Sequence, residues 1–127
     1  GFPGLVLAIL GAPDPHLIES DGRKATFLRE VARITETKIT LHVARIENVP
    51  PLLADVVSAR ALAPLIKLLP WAKRHMAPGA IGLFPKGKGV EDELTAVSKE
   101  GNIRFERVPS LTDPVASIVV YREVDRG

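Results

Sequence analysis

The sequence predicts a doubly wound α/β domain, and three observations carry the prediction. Apolar runs of strand length alternate with segments whose apolar residues recur at helical spacing, from the start of the chain to about Lys99. The chain opens on Gly1-Phe2-Pro3-Gly4, a glycine-containing loop that runs directly into the continuously apolar Leu5-Val6-Leu7-Ala8-Ile9-Leu10. The last two strand-like segments follow each other with no helix between them, so the final strand is expected to insert antiparallel.

The elements follow in order. After the opening helix, Gly11-Ala12-Pro13-Asp14-Pro15 reads as a turn and His16-Leu17-Ile18-Glu19 as a short strand ending on an acid. Ser20 or Asp21 can cap a helix running to about Thr35, with Phe27, Leu28, Val31 and Ile34 as its buried stripe and Arg23, Lys24, Arg29 and Arg33 facing solvent. Ile39 to Val43 alternates with period two, as a half-exposed edge strand does, with His42 on the solvent face. Glu47 to Ala54 is a loop or short helix around Pro50-Pro51. Asp55 to Ser58 is a strand, with Arg60 just past its end. Pro64 suits a first helical turn, and the helix carrying Leu65, Ile66, Leu68 and Leu69 is expected to kink or restart at Pro70. Pro78-Gly79 then turns the chain into a buried strand, Ala80 to Phe84. The run Pro85-Lys86-Gly87-Lys88-Gly89 leads to a helix from about Glu91 to Lys99, and Ile103 to Val108 and Ser117 to Tyr121 close the chain as strands.

A chain of 127 residues is one domain or most of one, so residues 1–127 are expected to form a single domain. It has no cysteine, which excludes disulfides and thiolate metal sites. No apolar run reaches the length of a membrane span. The formal charge of +2 permits an anionic partner without requiring one. His16, His42 and His75 show no metal spacing, no Ser-His-Asp or paired-carboxylate arrangement emerges, and Trp71 and Tyr121 are too isolated to form a stacking platform. No metal is expected.

In an open α/β sheet, ligands bind beyond the carboxyl ends of the strands. Glu19, the triplet Arg45-Ile46-Glu47, Arg60 and Lys86-Gly87 all fall there. An acid ending the second strand can accept both hydroxyls of a ribose, and it can equally be a helix-start charge favoured by the macrodipole. The opening loop alone is equally a Pro-Gly turn before a buried helix, whereas loop and acid together favour a nucleotide site. Without an evident acid or base, the chemistry indicated is one in which positioning does most of the work.

Gly1-Phe2-Pro3-Gly4, Glu19-Ser20-Asp21-Gly22-Arg23-Lys24 leading into Phe27-Leu28, Arg45-Ile46-Glu47, Ser58-Ala59-Arg60-Ala61 and Pro85-Lys86-Gly87 occur in this order. Together they resemble the RsmG (GidB) methyltransferases over nearly the whole chain. The resemblance implies a Rossmann-like class I methyltransferase sheet, S-adenosylmethionine as methyl donor, and methylation of N7 of a guanine in bacterial 16S ribosomal RNA. By the same resemblance Gly1 and Phe2 lie in the cofactor loop, Glu19 holds the ribose, and Ile46 and Glu47 flank the adenine. Arg60 sits between cofactor and target base, and Arg45 and Lys86 face the RNA.

The resemblance further implies a bacterial cytoplasmic enzyme working as a monomer on the small ribosomal subunit or its RNA, away from membranes. The family's loop begins with Gly-x-Gly at the end of a first strand, and a helical region precedes it. Neither is in this sequence, so the sheet is expected without its first strand, the chain alone is expected to be poorly stable or to aggregate, and cofactor binding is expected of the intact protein. The alternatives are a class I methyltransferase with another substrate, a nicotinamide-dependent dehydrogenase, and a non-catalytic RNA- or ribosome-binding domain retaining a degenerate cofactor fold.

Overall fold

The structure is a computed structural model and describes residues 4–60, 63–98 and 103–123. Its contacts fall into two compact units, residues 1–50 and 51–127.

The first unit begins with α1 (Gly4–Ile9), which buries Leu5 and Ala8, and continues into β1 (His16–Glu19). Helix α2 (Gly22–Ile34) starts at Asp21, whose carboxylate accepts the backbone N–H groups of Arg23 (2.8 Å) and Lys24 (3.4 Å). Of the two expected caps, Asp21 is therefore the one used. The chain returns in β2 (Thr40–Val43), which pairs with β1 in parallel, and a 3-10 turn follows at Ile46–Asn48. The core of this unit is Leu5, Leu17, Leu28 and Ala32, with Val31, Ile39 and Leu41 against it.

The buried face of α2 differs from the expected stripe. Ala25, Leu28 and Ala32 point inward, whereas Phe27 and Ile34 are 55% and 66% exposed. The helix instead seats two alanines beside Leu28, and small side chains let its backbone pack close to the strands beneath.

The second unit holds β3 (Ala54–Ser58), α3 (Leu65–Arg74), β4 (Met76–Lys86), α4 (Val90–Ser98), β5 (Ile103–Pro109) and β6 (Ser117–Glu123). The sheet order is β3-β4-β6-β5. Strands β3 and β4 run parallel, and β6 inserts antiparallel between β4 and β5, as expected from the missing last crossover. Leu65, Leu68, Leu69 and Ala72 of α3, Val90 and Val97 of α4, and Phe84, Val119 and Tyr121 of the sheet form its core.

Two local expectations change. Helix α3 does not restart at Pro70 but runs through it, with Pro70 on its exposed side, where the carbonyl released by the missing N–H can meet water. Strand β4 starts before Pro78-Gly79 rather than after it. Ala54 pairs with Met76 and Val56 with Ile81, so a two-residue step on β3 faces a five-residue step on β4. The excess is an irregularity in the ladder, with Gly79 at φ 79°, a conformation glycine adopts without strain.

Among the described residues, no strand pairs with the second edge of β1 or of β3.

Candidate functional site

The carboxyl ends of the parallel strands collect the candidate residues. In the first unit Glu19 pairs in register with Val43, and the Glu19 carbonyl accepts the N–H of Ala44 at 3.1 Å. This parallel pairing brings the end of β1 beside Arg45, Ile46 and Glu47. The half-buried carboxylate of Glu19 accepts the Asp21 N–H at 3.1 Å, which steers it along the same end of the strands. Arg45 pairs with Glu47 at 2.9 Å, both side chains well exposed. The half-buried Ile46 opens the 3-10 turn between them. Four of the expected site residues thus converge on one end of the β1–β2 pair. Gly1 and Phe2, expected in the cofactor loop, lie outside the described residues.

Gly4 is described, and its surroundings explain the glycine. A Cβ built there would sit 2.6 Å from Cδ2 of Leu17, a side chain buried in the core of this unit. The chain entering α1 therefore rides directly on β1. Close packing of helix on strand is what the last glycine of a nucleotide loop provides.

In the second unit, Arg60 follows β3 and the Ala59 N–H bonds the Leu83 carbonyl of β4 at 3.2 Å, so Arg60 leaves the sheet at its carboxyl end. Its side chain is exposed and forms no ion pair with a described residue. Lys86 ends β4 at the same edge, but its ammonium is turned inward. Only 7% of the Lys86 side chain is exposed, and Nζ lies 2.9 Å from Oε1 of Glu93 and 3.0 Å from the Ala63 carbonyl. The same Glu93 oxygen accepts the N–H of Leu65, the first residue of α3, at 2.9 Å. Glu93 went unnoticed in the sequence. The usable signal was an acid in the first turn of α4, one glycine turn beyond a lysine that ends a strand.

A second feature was also missed. The rings of His16 and His42 stack with centroids 5.2 Å apart, Nδ1 of one lies 3.0 Å from Nε2 of the other, and Nε2 of His16 approaches Asp14 at 3.3 Å. His42 is thus half-buried against a neighbour rather than simply solvated. The three groups form a row, and among the described residues no group of three or more His, Cys, Asp or Glu side chains is poised to hold a metal. Nor is any helix among those residues long and apolar enough to cross a membrane.

The family model GidB, described as rRNA small subunit methyltransferase G, matches residues 1–116. A ribosomal RNA small subunit methyltransferase G from Paramagnetospirillum magneticum is 65% identical over 127 residues, all of this chain and 62% of the relative. Its counterpart from Rhodospirillum centenum is 56% identical over 124 residues, 98% of this chain and 57% of the relative. The chain therefore spans about three fifths of the length of these curated relatives.

Among solved structures, a ribosomal protein L11 methylase from Lactobacillus delbrueckii subsp. bulgaricus superposes with TM-score 0.76 at 18% identity, covering 94% of this chain and 66% of that one. The O-methyltransferase TomG from Streptomyces achromogenes, solved with S-adenosylmethionine, superposes with TM-score 0.71 at 16% identity, covering 98% of this chain and 69% of that one. At such identities the likeness shows the shared Rossmann-like methyltransferase fold.

Proposed function

The chain belongs to the GidB family, rRNA small subunit methyltransferase G, and on that premise we propose that it is the cofactor-binding part of an enzyme that methylates N7 of a guanine in 16S ribosomal RNA. Family membership over most of the chain is the observation that carries this reading. The convergence of Glu19 with Arg45, Ile46 and Glu47 at the strand ends supports it. We propose further that both units belong to one methyltransferase domain, acting as a bacterial cytoplasmic monomer on the small ribosomal subunit or its RNA.

The residues present fit the methyl donor. Gly4 leaves room only for backbone above β1, and an acid ends that strand where a ribose would be held. When bound, S-adenosylmethionine supplies an electrophilic sulfonium methyl. Glu19 would hold the ribose, Ile46 and Glu47 would flank the adenine, and Gly1 and Phe2 would complete the loop. The guanine N7 carries a lone pair and needs no deprotonation. Transfer of the methyl to N7 would therefore ask no general base of the protein.

What the protein supplies is alignment. The product base gains positive charge, so a guanidinium against N7 would oppose the reaction. Arg60, exposed at the end of β3, is assigned to O6 or to phosphates, and Arg45 to the RNA backbone. Lys86, which the family resemblance turns toward the RNA, instead has its ammonium engaged by Glu93 and the Ala63 carbonyl.

The test uses the full-length protein, labelled S-adenosylmethionine, and small-subunit ribosomal RNA lacking its native methyl groups. Label at one guanine, mapped by cleavage specific for N7-methylguanine, is the expected result. Arg60→Ala should lower kcat/KM for RNA by about tenfold to a hundredfold, or roughly 1.4–2.8 kcal/mol of transition-state stabilisation. Cofactor binding without label would move the substrate elsewhere, and an unchanged Arg60→Ala would remove that residue from the site.

A further inference from the structure

We propose that Glu93 is a positioning residue that, through Lys86, fixes the segment carrying Arg60. The proposal rests on the methyltransferase reading above and deepens it. One carboxylate oxygen of Glu93 receives two donors, the Lys86 ammonium and the Leu65 N–H, each at 2.9 Å. Lys86 in turn donates to the Ala63 carbonyl at 3.0 Å. The residue at the N-cap position of α3 is Pro64, which supplies no side-chain cap, so Glu93 caps the helix from a different element.

These bonds hold described residues on both sides of Arg60, Ala59 before it and Ala63 and Leu65 after it. Ala59 is held by its N–H on the Leu83 carbonyl of β4. Ala63 is held by Lys86, the last residue of β4, and Leu65 by Glu93 in the first turn of α4. Arg60 itself is exposed and without an ion pair to a described residue. Its placement is therefore constrained by the anchored Ala59 before it and Ala63 after it.

A purely stabilising role is a poor explanation for the pair. Lys86 is nearly buried and Glu93 about one-fifth exposed, and removing two charges from water costs much of what their attraction returns. An apolar pair could fill the space. It could not cap α3 and hold the Ala63 carbonyl together. Lys86 is thereby assigned to the protein backbone rather than to RNA phosphate.

The experiment compares full-length protein with Glu93→Gln, Lys86→Met and the double variant. Glutamine keeps an acceptor for Leu65 but leaves the lysine charge unmatched. Each single variant should lower kcat for RNA methylation by about tenfold while KM for RNA and for S-adenosylmethionine stays within about threefold. The double variant should be no slower than either single one, because the two residues act as a unit. If Lys86→Met instead raises KM for RNA by about tenfold while Glu93→Gln keeps its kcat, Lys86 contacts the substrate and the proposal is overturned.

Hydrogen exchange at the Leu65 amide gives a readout independent of activity. It should quicken about tenfold in Glu93→Ala, and an unchanged rate would overturn the latch. A full-length protein that methylates no RNA would overturn the methyltransferase reading instead, with the exchange rate still deciding whether Glu93 holds Leu65.

Discussion

Gly4 and Leu17 are packed so closely that a single added carbon would collide: a Cβ on Gly4 falls 2.6 Å from Cδ2 of Leu17. Leu17 is 4% exposed and enclosed by Leu5, Leu28 and Ala32, so it has little room to swing aside. Gly4→Val should destabilise the protein by about 1–3 kcal/mol through overpacking. Gly4→Ala should cost less, since alanine recovers some helix propensity. Denaturant midpoints with unchanged slopes would measure both, and a Gly4→Val midpoint equal to the parent's would refute the packing argument.

Phe84 has no exposed surface and sits between α3 and the sheet, its ring 2.9 Å from where a Cβ on Gly82 would be. Phe84→Ala should cost about 3–5 kcal/mol, because the surrounding Leu65, Leu68 and Val119 can collapse only partly into the space. Gly82→Ala should also destabilise, by pressing on the same ring. A thermal melt of each variant decides the matter; a loss below about 1 kcal/mol for Phe84→Ala would mean the core is looser than described.

The Arg33 guanidinium bonded to Glu30 holds that carboxyl below its ordinary value of 4.5, and both side chains are exposed on the helix surface. A carboxyl whose folded pKa is depressed contributes stability above its unfolded pKa and loses it as pH falls through the folded value. This contribution should therefore fade only below pH 4.5, and the solvent around both side chains makes it small. NMR titration of the Glu30 carboxyl should show the value return to 4.5 in Arg33→Gln. High salt should move it in the same direction. A parent protein titrating at the ordinary value would count against the pairing.

Element types and strand direction were legible because the relevant signals are local. Alternation of apolar runs with helical spacing gave the α/β class, and two strands without a helix between them gave the antiparallel β6. The cap could be narrowed to Ser20 or Asp21 because capping needs one oxygen two or three residues upstream of the N–H it serves. The inward face of α2 was not legible in that way. Periodicity offers several overlapping stripes, and which one is buried depends on the depth available, which here admits Ala25 and Ala32 and leaves Phe27 outside.

The candidate site divides along the same line. The position of Glu19, Arg45, Glu47 and Arg60 at strand ends could be read because strand ends are predictable, and ligands gather at such ends. The role of Glu93 depends on a contact with Leu65, 28 residues earlier in the chain, and on Lys86 turning inward. The stacking of His16 on His42 likewise needs the parallel register of two strands separated by a helix. Sequence spacing alone carries neither.

The antiparallel insertion of β6 has a consequence for how this scaffold can change. Because Ser117 lies beside both Lys86 and Pro109, the connection from β5 to β6 emerges at the same rim as the ends of the parallel strands. That connection is cross-braced by Ser110 and Asp113 through bonds to its own N–H groups, and Leu111 at its tip is wholly open to solvent. A hairpin can lengthen, shorten or exchange residues without a helix having to be rebuilt, unlike a crossover. A scaffold of this kind can thus vary one short loop beside the strand ends and leave its buried framework untouched.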